Sequence, residues 1–205
     1  MSSTRERLIE AAFEIFGRIG FHAVGMDRIL EEVGVSKQTF YNHFESKDEL
    51  ILAVLDHRHQ VQTLWWTNLL NVYGGDDPRG KLYALFDALD AWFNEPDWRG
   101  CIFMTAAAEF PSPHEPAHQK AAEHTRKFQE YLQYLATLAG AADPKLLAEQ
   151  LAVLLDGIIG YRHVTADPRA CEIGRSVGHR LLDAQLPPSP RTAAKPPVIR
   201  PSAVA

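Results

Sequence analysis

Apolar side chains recur every three or four residues along almost the whole chain, and no segment shows the sustained alternation with β-branched residues that marks a strand. The expectation is an all-α fold of about nine helices. The first, Thr4 to Ile19, puts Leu8, Ala12, Ile15 and Phe16 on one stripe and ends at Gly20, a residue free to take left-handed backbone. A short second helix, Met26 to Val33, turns Ile29, Leu30 and Val33 inward; Gly34 ends it and Ser36 can cap the next. Phe40 and Phe44 then stand one helical turn apart among polar side chains, so that short helix has one inward face and one polar face. Ser46 opens a fourth helix with S-x-x-E, in which its hydroxyl takes the amide of Glu49 while that carboxylate reaches back to the amide of Ser46. The apolar period runs on to about Tyr73, some 26 residues or roughly 39 Å, long enough to connect two domains.

The segment GGDDPRG, residues 74–80, breaks that run, and helices are expected at 79–94, 98–110, 115–139, 144–165 and 168–185. Pro78, Pro96, Pro111, Pro113, Pro144 and Pro168 punctuate them as helix starts and stops require. The end of the chain, PPSPRTAAKPPVIRPSAVA, has six prolines and little that can pack, and is expected to be a disordered tail over 187–205.

A chain of 205 residues with 46% hydrophobic content builds a substantial core without staples. The two cysteines, Cys101 and Cys171, lie far apart and outside any C-x-x-C spacing, which fits a reduced interior. The first turn mixes acids and bases and carries no apolar run of roughly 7 to 15 residues, and no stretch approaches the roughly 18 uncharged apolar residues of a membrane span. A soluble, cytoplasmic protein with no membrane association is expected. The net charge of −5 argues against a broad basic field. Residues 1 to 50 carry six Lys/Arg and nine Asp/Glu, so any surface that meets nucleic acid must be local.

Three helices in the first 45 residues, the second and third joined by a Gly-containing turn, make a helix-turn-helix arrangement. The string GFHAVGMDRILEEVGVSKQTFYNHFESKDEL, residues 20 to 50, closely resembles the DNA-binding signature of the TetR family of bacterial transcriptional regulators. The matching residues are Gly20, Phe21, Ile29, Gly34, Val35, Ser36, Thr39, Tyr41, His43, Phe44, Ser46, Lys47 and Leu50. Departures fall at Val24 and Gly25, where the family commonly has a capping Thr, at Leu30 and Phe40, which change packing volume, and at Gln38, where it usually has Gly.

The resemblance implies a helix-turn-helix DNA-binding domain over 1–47 and a helical ligand-binding and dimerisation domain over 48–186. It implies a repressor, a non-enzyme without cofactor or metal, that binds a double-stranded operator as a homodimer and leaves it when a small-molecule inducer binds. Gln38 and Asn42, on the polar face, can each match adenine's donor and acceptor pair, and Lys37 can reach a guanine edge or a phosphate. Thr39, Tyr41 and His43 resemble the family's backbone contacts, and Lys47 at the next helix start neutralises a phosphate. In the second domain, the last two helices offer Gly157, Gly160, Gly174 and Gly178 for close approach within an interface of two copies. A cavity for a flat apolar ligand is expected among Trp65, Phe86, Phe103, Tyr131 and Tyr161, with Glu109 or His163 as the polar anchor.

A rival lies in HEPAHQKAAEH, residues 114–124, which satisfies H-E-x-x-H with a third His at the spacing of zinc proteases. A zinc-dependent hydrolase, or a metal-responsive regulator holding metal through His114 and His118, follows from it. Against both, Pro116 sits between the first two ligands, and Ala121 stands where a turn-forming Gly must swing the third His back. At 100° per residue His124 then lies about 120° from His118 around the helix axis.

Overall fold

The computed structural model describes residues 3–188. These form nine helices: α1 (Thr4–Ile19), α2 (Met26–Val33), α3 (Lys37–Tyr41), α4 (Lys47–Gly74), α5 (Pro78–Phe93), α6 (Ile102–Glu109), α7 (Pro116–Leu138), α8 (Pro144–Thr165) and α9 (Ala170–Gln185). Residues 189–205, the greater part of the expected tail, lie outside the described residues.

The caps follow from the residue types. Ser3 closes a complete capping box on α1, its hydroxyl accepting from the amide of Glu6 while Glu6 accepts from the amide of Ser3. Asp77 and Asp143 accept from first-turn amides of α5 and α8, each followed by proline at the first helical position. At α4 only half the expected box forms. Ser46 Oγ accepts from the Glu49 amide at 3.1 Å, but the Glu49 carboxylate accepts from the amide of Glu45 at 2.6 Å, one residue further back than expected. Helix α6 starts at Ile102 rather than at 98. Gly100 takes φ +92°, and the His163 ring stands where a Cβ at that position would go, so the backbone cannot be helical there.

Two apolar clusters organise the packing. The first joins α1, α2 and α3 to the start of α4 and takes in Ile102, Phe103 and Ala106 of α6 and Ala117 and Ala121 of α7. The second joins the end of α4 to α5, the later part of α7, α8 and α9. Helices α4 and α7 run through both, so the N-terminal helices share their core with the C-terminal half of the chain.

Across the last two helices the four glycines divide. A Cβ at Gly178 would stand 1.9 Å from Phe86 Cζ, and one at Gly174 would stand 2.1 Å from Ile158 Cδ1, whereas Gly157 and Gly160 face open space. The α9 pair therefore receives large side chains of this same chain, and only the α8 pair is left uncovered. Cys171 is buried beside them, its Sγ–H donating to the Phe86 carbonyl at 3.1 Å, and burial pushes its pKa up to about 11, so it stays a thiol.

Phe86 is fully buried and cannot yield. Gly178→Ala is therefore expected to lower unfolding free energy by about 1–3 kcal/mol through overpacking, whereas Gly157→Ala, whose Cβ meets nothing within its own chain, should cost less. Urea titrations followed by circular dichroism check this, and equal costs at the two sites would contradict the assignment.

Candidate nucleic-acid interface and buried cavity

The N-terminal site is built on α3. Ser36 caps it, its Oγ accepting from the Thr39 amide at 3.1 Å and lying 2.9 Å from Thr39 Oγ1. The helix proper ends at Tyr41, yet the Phe44 amide still donates to the Phe40 carbonyl at 3.0 Å, which keeps the two phenylalanines one turn apart with ring centroids separated by 5.6 Å. Both are buried, and the Arg5 guanidinium covers the Phe44 ring from α1. Arg7 donates to the Val33 carbonyl at 2.9 Å and ties α1 to the end of α2.

With Phe40 and Phe44 turned inward, the remaining side chains face out. Lys37, Gln38, Tyr41 and Asn42 are exposed, and Thr39, His43 and Lys47 are half-buried around them. Gln38 Nε2 donates to Asn42 Oδ1 at 3.3 Å, which leaves the Gln38 carbonyl oxygen as an acceptor and the Asn42 amide nitrogen as a donor. The face holds one continuous set of hydrogen-bonding groups flanked by two lysines.

The turn between α1 and α2 is held from the other half of the chain. Glu109, the last residue of α6, accepts from the Phe21 amide at 2.9 Å through Oε1 and from the His22 amide at 2.7 Å through Oε2, and His22 Nε2 donates to the Glu109 carbonyl at 2.9 Å. Phe110 packs edge-on against Phe21 and tilts against His22. Gly20 is required here, since its φ is +93° and a Cβ would come within 2.4 Å of Glu109 Oε1.

At the start of the same short helix, Phe103 stacks on His124 with centroids 3.7 Å apart and planes within 6°. His124 also meets His59 of α4, Nδ1 to Nδ1 at 2.9 Å. Phe103 and His124, with Trp66 and Phe128, wall a cavity of about 170 Å³ that Gln62, Met104, His118 and Asp156 also line. A neighbouring cavity of about 180 Å³ shares Trp66, His124 and Phe128 and adds Tyr131. Burial first, then the neighbouring His59 and Arg58, lower the His124 pKa to about 4, and burial lowers that of His59 as well.

Of the seven expected cavity residues, Phe103 and Tyr131 line these spaces. The others do not. Phe86 fills the gap over Gly178, Glu109 is spent on the α1–α2 turn, Tyr161 is half exposed, His163 packs against Gly100 and Trp98, and Trp65 lies edge-on to Trp66 outside the lining. Gln62, His59 and His124 were missed. One signal was available for Gln62, because it falls in register with the buried positions Leu55, Trp66 and Leu70 of α4 as a polar residue on an apolar stripe.

The H-E-x-x-H segment is taken apart by the fold. His114 is exposed ahead of α7, Glu115 accepts from the Ser112 amide, and Pro116 occupies the first helical position. His118 Nδ1 donates to the Phe110 carbonyl at 2.9 Å, while His124 turns inward to His59 and Phe103. Among the described residues no three His, Cys, Asp or Glu side chains are grouped to hold a metal ion.

An exposed polar helix on a compact three-helix unit, latched to a second helical unit with an aromatic cavity, has the form of a helix-turn-helix DNA-binding protein. Residues 8–54 match the model for bacterial regulatory proteins of the tetR family, and residues 78–177 match that for tetracyclin repressor-like C-terminal domains. The crystal structure of SCO4454, a TetR-family transcriptional regulator from Streptomyces coelicolor, superposes with a TM-score of 0.83 at 30% identity, covering 90% of each chain. That of sav143 from Streptomyces avermitilis gives 0.78 at 32% identity, covering 90% of this chain and 98% of its own. The transcriptional activator FasR of Mycolicibacterium smegmatis is 54% identical over 55 residues, which span 27% of this chain and a quarter (25%) of FasR. The chain belongs to the TetR family of DNA-binding transcriptional regulators.

Two outcomes follow from the geometry. Tyr41→Ala should weaken binding to every duplex alike, while Gln38→Ala should cost about 1–3 kcal/mol against the preferred site and relax preference at one base pair; fluorescence anisotropy against a library of single-base variants separates the two patterns. For acid, the unfolded chain takes up a proton at His124 below about pH 6.5 that the folded chain refuses until about pH 4. Stability is therefore lost as pH falls through that window, by roughly 3 kcal/mol at its lower end. A His124→Phe variant should show a shallower fall in urea midpoint than the parent, and parallel profiles would refute the assignment.

Proposed function

We propose that the chain binds an operator palindrome as a homodimer through two copies of α3 and releases it when a small molecule fills the cavity between α4, α6, α7 and α8. The observation that carries this reading is the placement of α6. Its Phe103 forms the cavity wall and its Glu109 holds the backbone of the α1–α2 turn, so eight residues touch both the sensing space and the DNA-binding unit. A ligand that displaces the Phe103–His124 stack moves α6, and Glu109 carries the displacement to Phe21 and His22. Helix α4 adds a second rigid path, with its first turns in the N-terminal cluster and Trp66 at the cavity. By linkage, the ligand then weakens DNA binding by the same factor by which DNA weakens the ligand's binding.

Pairing of two copies is supported by the uncovered face of α8 and α9. Val153, Val164, Ile173 and Val177 are exposed there, with Gly157 and Gly160 open between them. A two-fold axis through this face makes an isologous interface of four helices. It supplies two recognition helices for half-sites about one DNA turn apart. In this reading Lys37, Gln38, Thr39, Tyr41, Asn42, His43 and Lys47 carry the contacts, the two amides reading bases and the others holding phosphates.

The test uses the full chain and the DNA flanking its own coding region, in anisotropy titrations at stated salt. Binding in the range of 10⁻⁸ to 10⁻¹¹ M is expected, with loss of both dimer and affinity in a Val153→Glu, Val177→Glu variant as read by analytical ultracentrifugation. Compounds found by thermal shift should then release the DNA. Affinity no better than for scrambled duplex, or binding that survives in a monomeric variant, would sink the proposal.

A further inference from the structure

Gln62 is the buried polar residue of α4, 6% exposed, and its amide makes no hydrogen bond to any other described residue. It lines the cavity of about 170 Å³ walled by Trp66, Phe103, His124 and Phe128, and on its other side a cavity of about 200 Å³ that reaches Phe13 and Glu14 of α1. Its amide faces cavity space wide enough for water, so a ligand that displaces that water must offer the same hydrogen bonds or lose affinity. A group with an acceptor for its NH₂ and a donor for its carbonyl does so.

The walls limit what this group can be attached to. Trp66 and Phe128 lie 5.5 Å apart, centroid to centroid, and the Phe103–His124 stack supplies a second flat surface. Size restricts the ring, since an apolar cavity of roughly 150 Å³ holds one benzene. Charge restricts it further. His124 stays neutral at physiological pH, and His118 gives its Nδ1 proton to the Phe110 carbonyl. The one ionisable acid on the lining, Asp156, forms no ion pair among the described residues, and no Lys or Arg lines this cavity. An aromatic acid would meet that carboxylate with no cation to hold its own, and an ammonium drawn to Asp156 has donors only, so it leaves the Gln62 NH₂ without an acceptor.

Resting on the reading of this cavity as the effector site, we propose that its ligand is a compact, uncharged aromatic carboxamide or lactam, its ring between the two aromatic walls and its amide edge paired with Gln62. Gln62 is then the specificity-determining residue of the site. Because the same side chain borders the cavity against α1, drawing its amide toward the ligand alters the floor of the space next to the DNA-binding unit.

Calorimetric titration of the full-length protein at millimolar ligand tests this with benzamide and 2-pyridone against benzoate, benzylammonium and toluene. Benzamide and 2-pyridone should bind at least tenfold more tightly than benzoate and benzylammonium. Gln62→Leu should remove that margin while toluene binds within twofold of its affinity for the parent, and Gln62→Met, which keeps an unbranched side chain, should behave the same way. Both variants are checked for fold by circular dichroism and by retained operator binding. Benzoate binding as tightly as benzamide, an unchanged benzamide affinity in both variants, or no benzamide binding by protein that still holds its operator would each overturn the inference. Benzamide binding that leaves DNA affinity untouched would instead uphold the ligand chemistry and remove the release mechanism.

Discussion

Two hydrogen bonds from backbone amides to one carboxylate set the relation between the halves of this molecule. Glu109 takes the Phe21 and His22 amides together, a charge-assisted arrangement stronger than a neutral pair. The geometry demands glycine at position 20 and a helix that ends where α6 ends. Around it Phe110 packs on Phe21 and His22, and the apolar cluster of α1 to α3 closes over Ile102, Phe103 and Ala106. The N-terminal helices are thus not a separate bead. Their core is finished by Ile102, Phe103, Ala106, Ala117 and Ala121 from the later part of the chain.

The cavity illustrates how the interior handles polarity. Burial holds His124 on its wall well below the usual histidine range, its carboxyl sits at the rim, and its single deep amide faces the open space. A low-dielectric pocket of this kind discriminates by the cost of mispairing more than by attraction. The two thiols take no part in such chemistry, since burial raises both Cys101 and Cys171.

Much of the architecture was legible along the chain because its signals are local. Proline at the first position of α5, α7 and α8, glycine after α1 and α2, and Ser36 and Ser46 as caps mark boundaries within a few residues of where they act. The polar face of α3 follows from Phe40 and Phe44 alone. What escaped was long-range. Glu109 reads as a plausible pocket acid until Phe21 and His22, 88 and 87 positions away, are seen to claim it. The start of α6 moved because the ring of His163 occupies the space beside Gly100. His59 and His124 meet across 65 positions, and no periodicity on either helix announces the pairing.

The hydrogen bond between Gln38 and Asn42 has a consequence for how this surface changes over time. In the proposed reading, where both side chains read bases, two amides already tied together lose less rotamer freedom on docking. They also cease to be independent letters. Replacing either one frees the other, so their effects on recognition are coupled rather than additive. New specificities at these positions should therefore arise through paired substitutions, with single changes passing through a looser, more permissive intermediate.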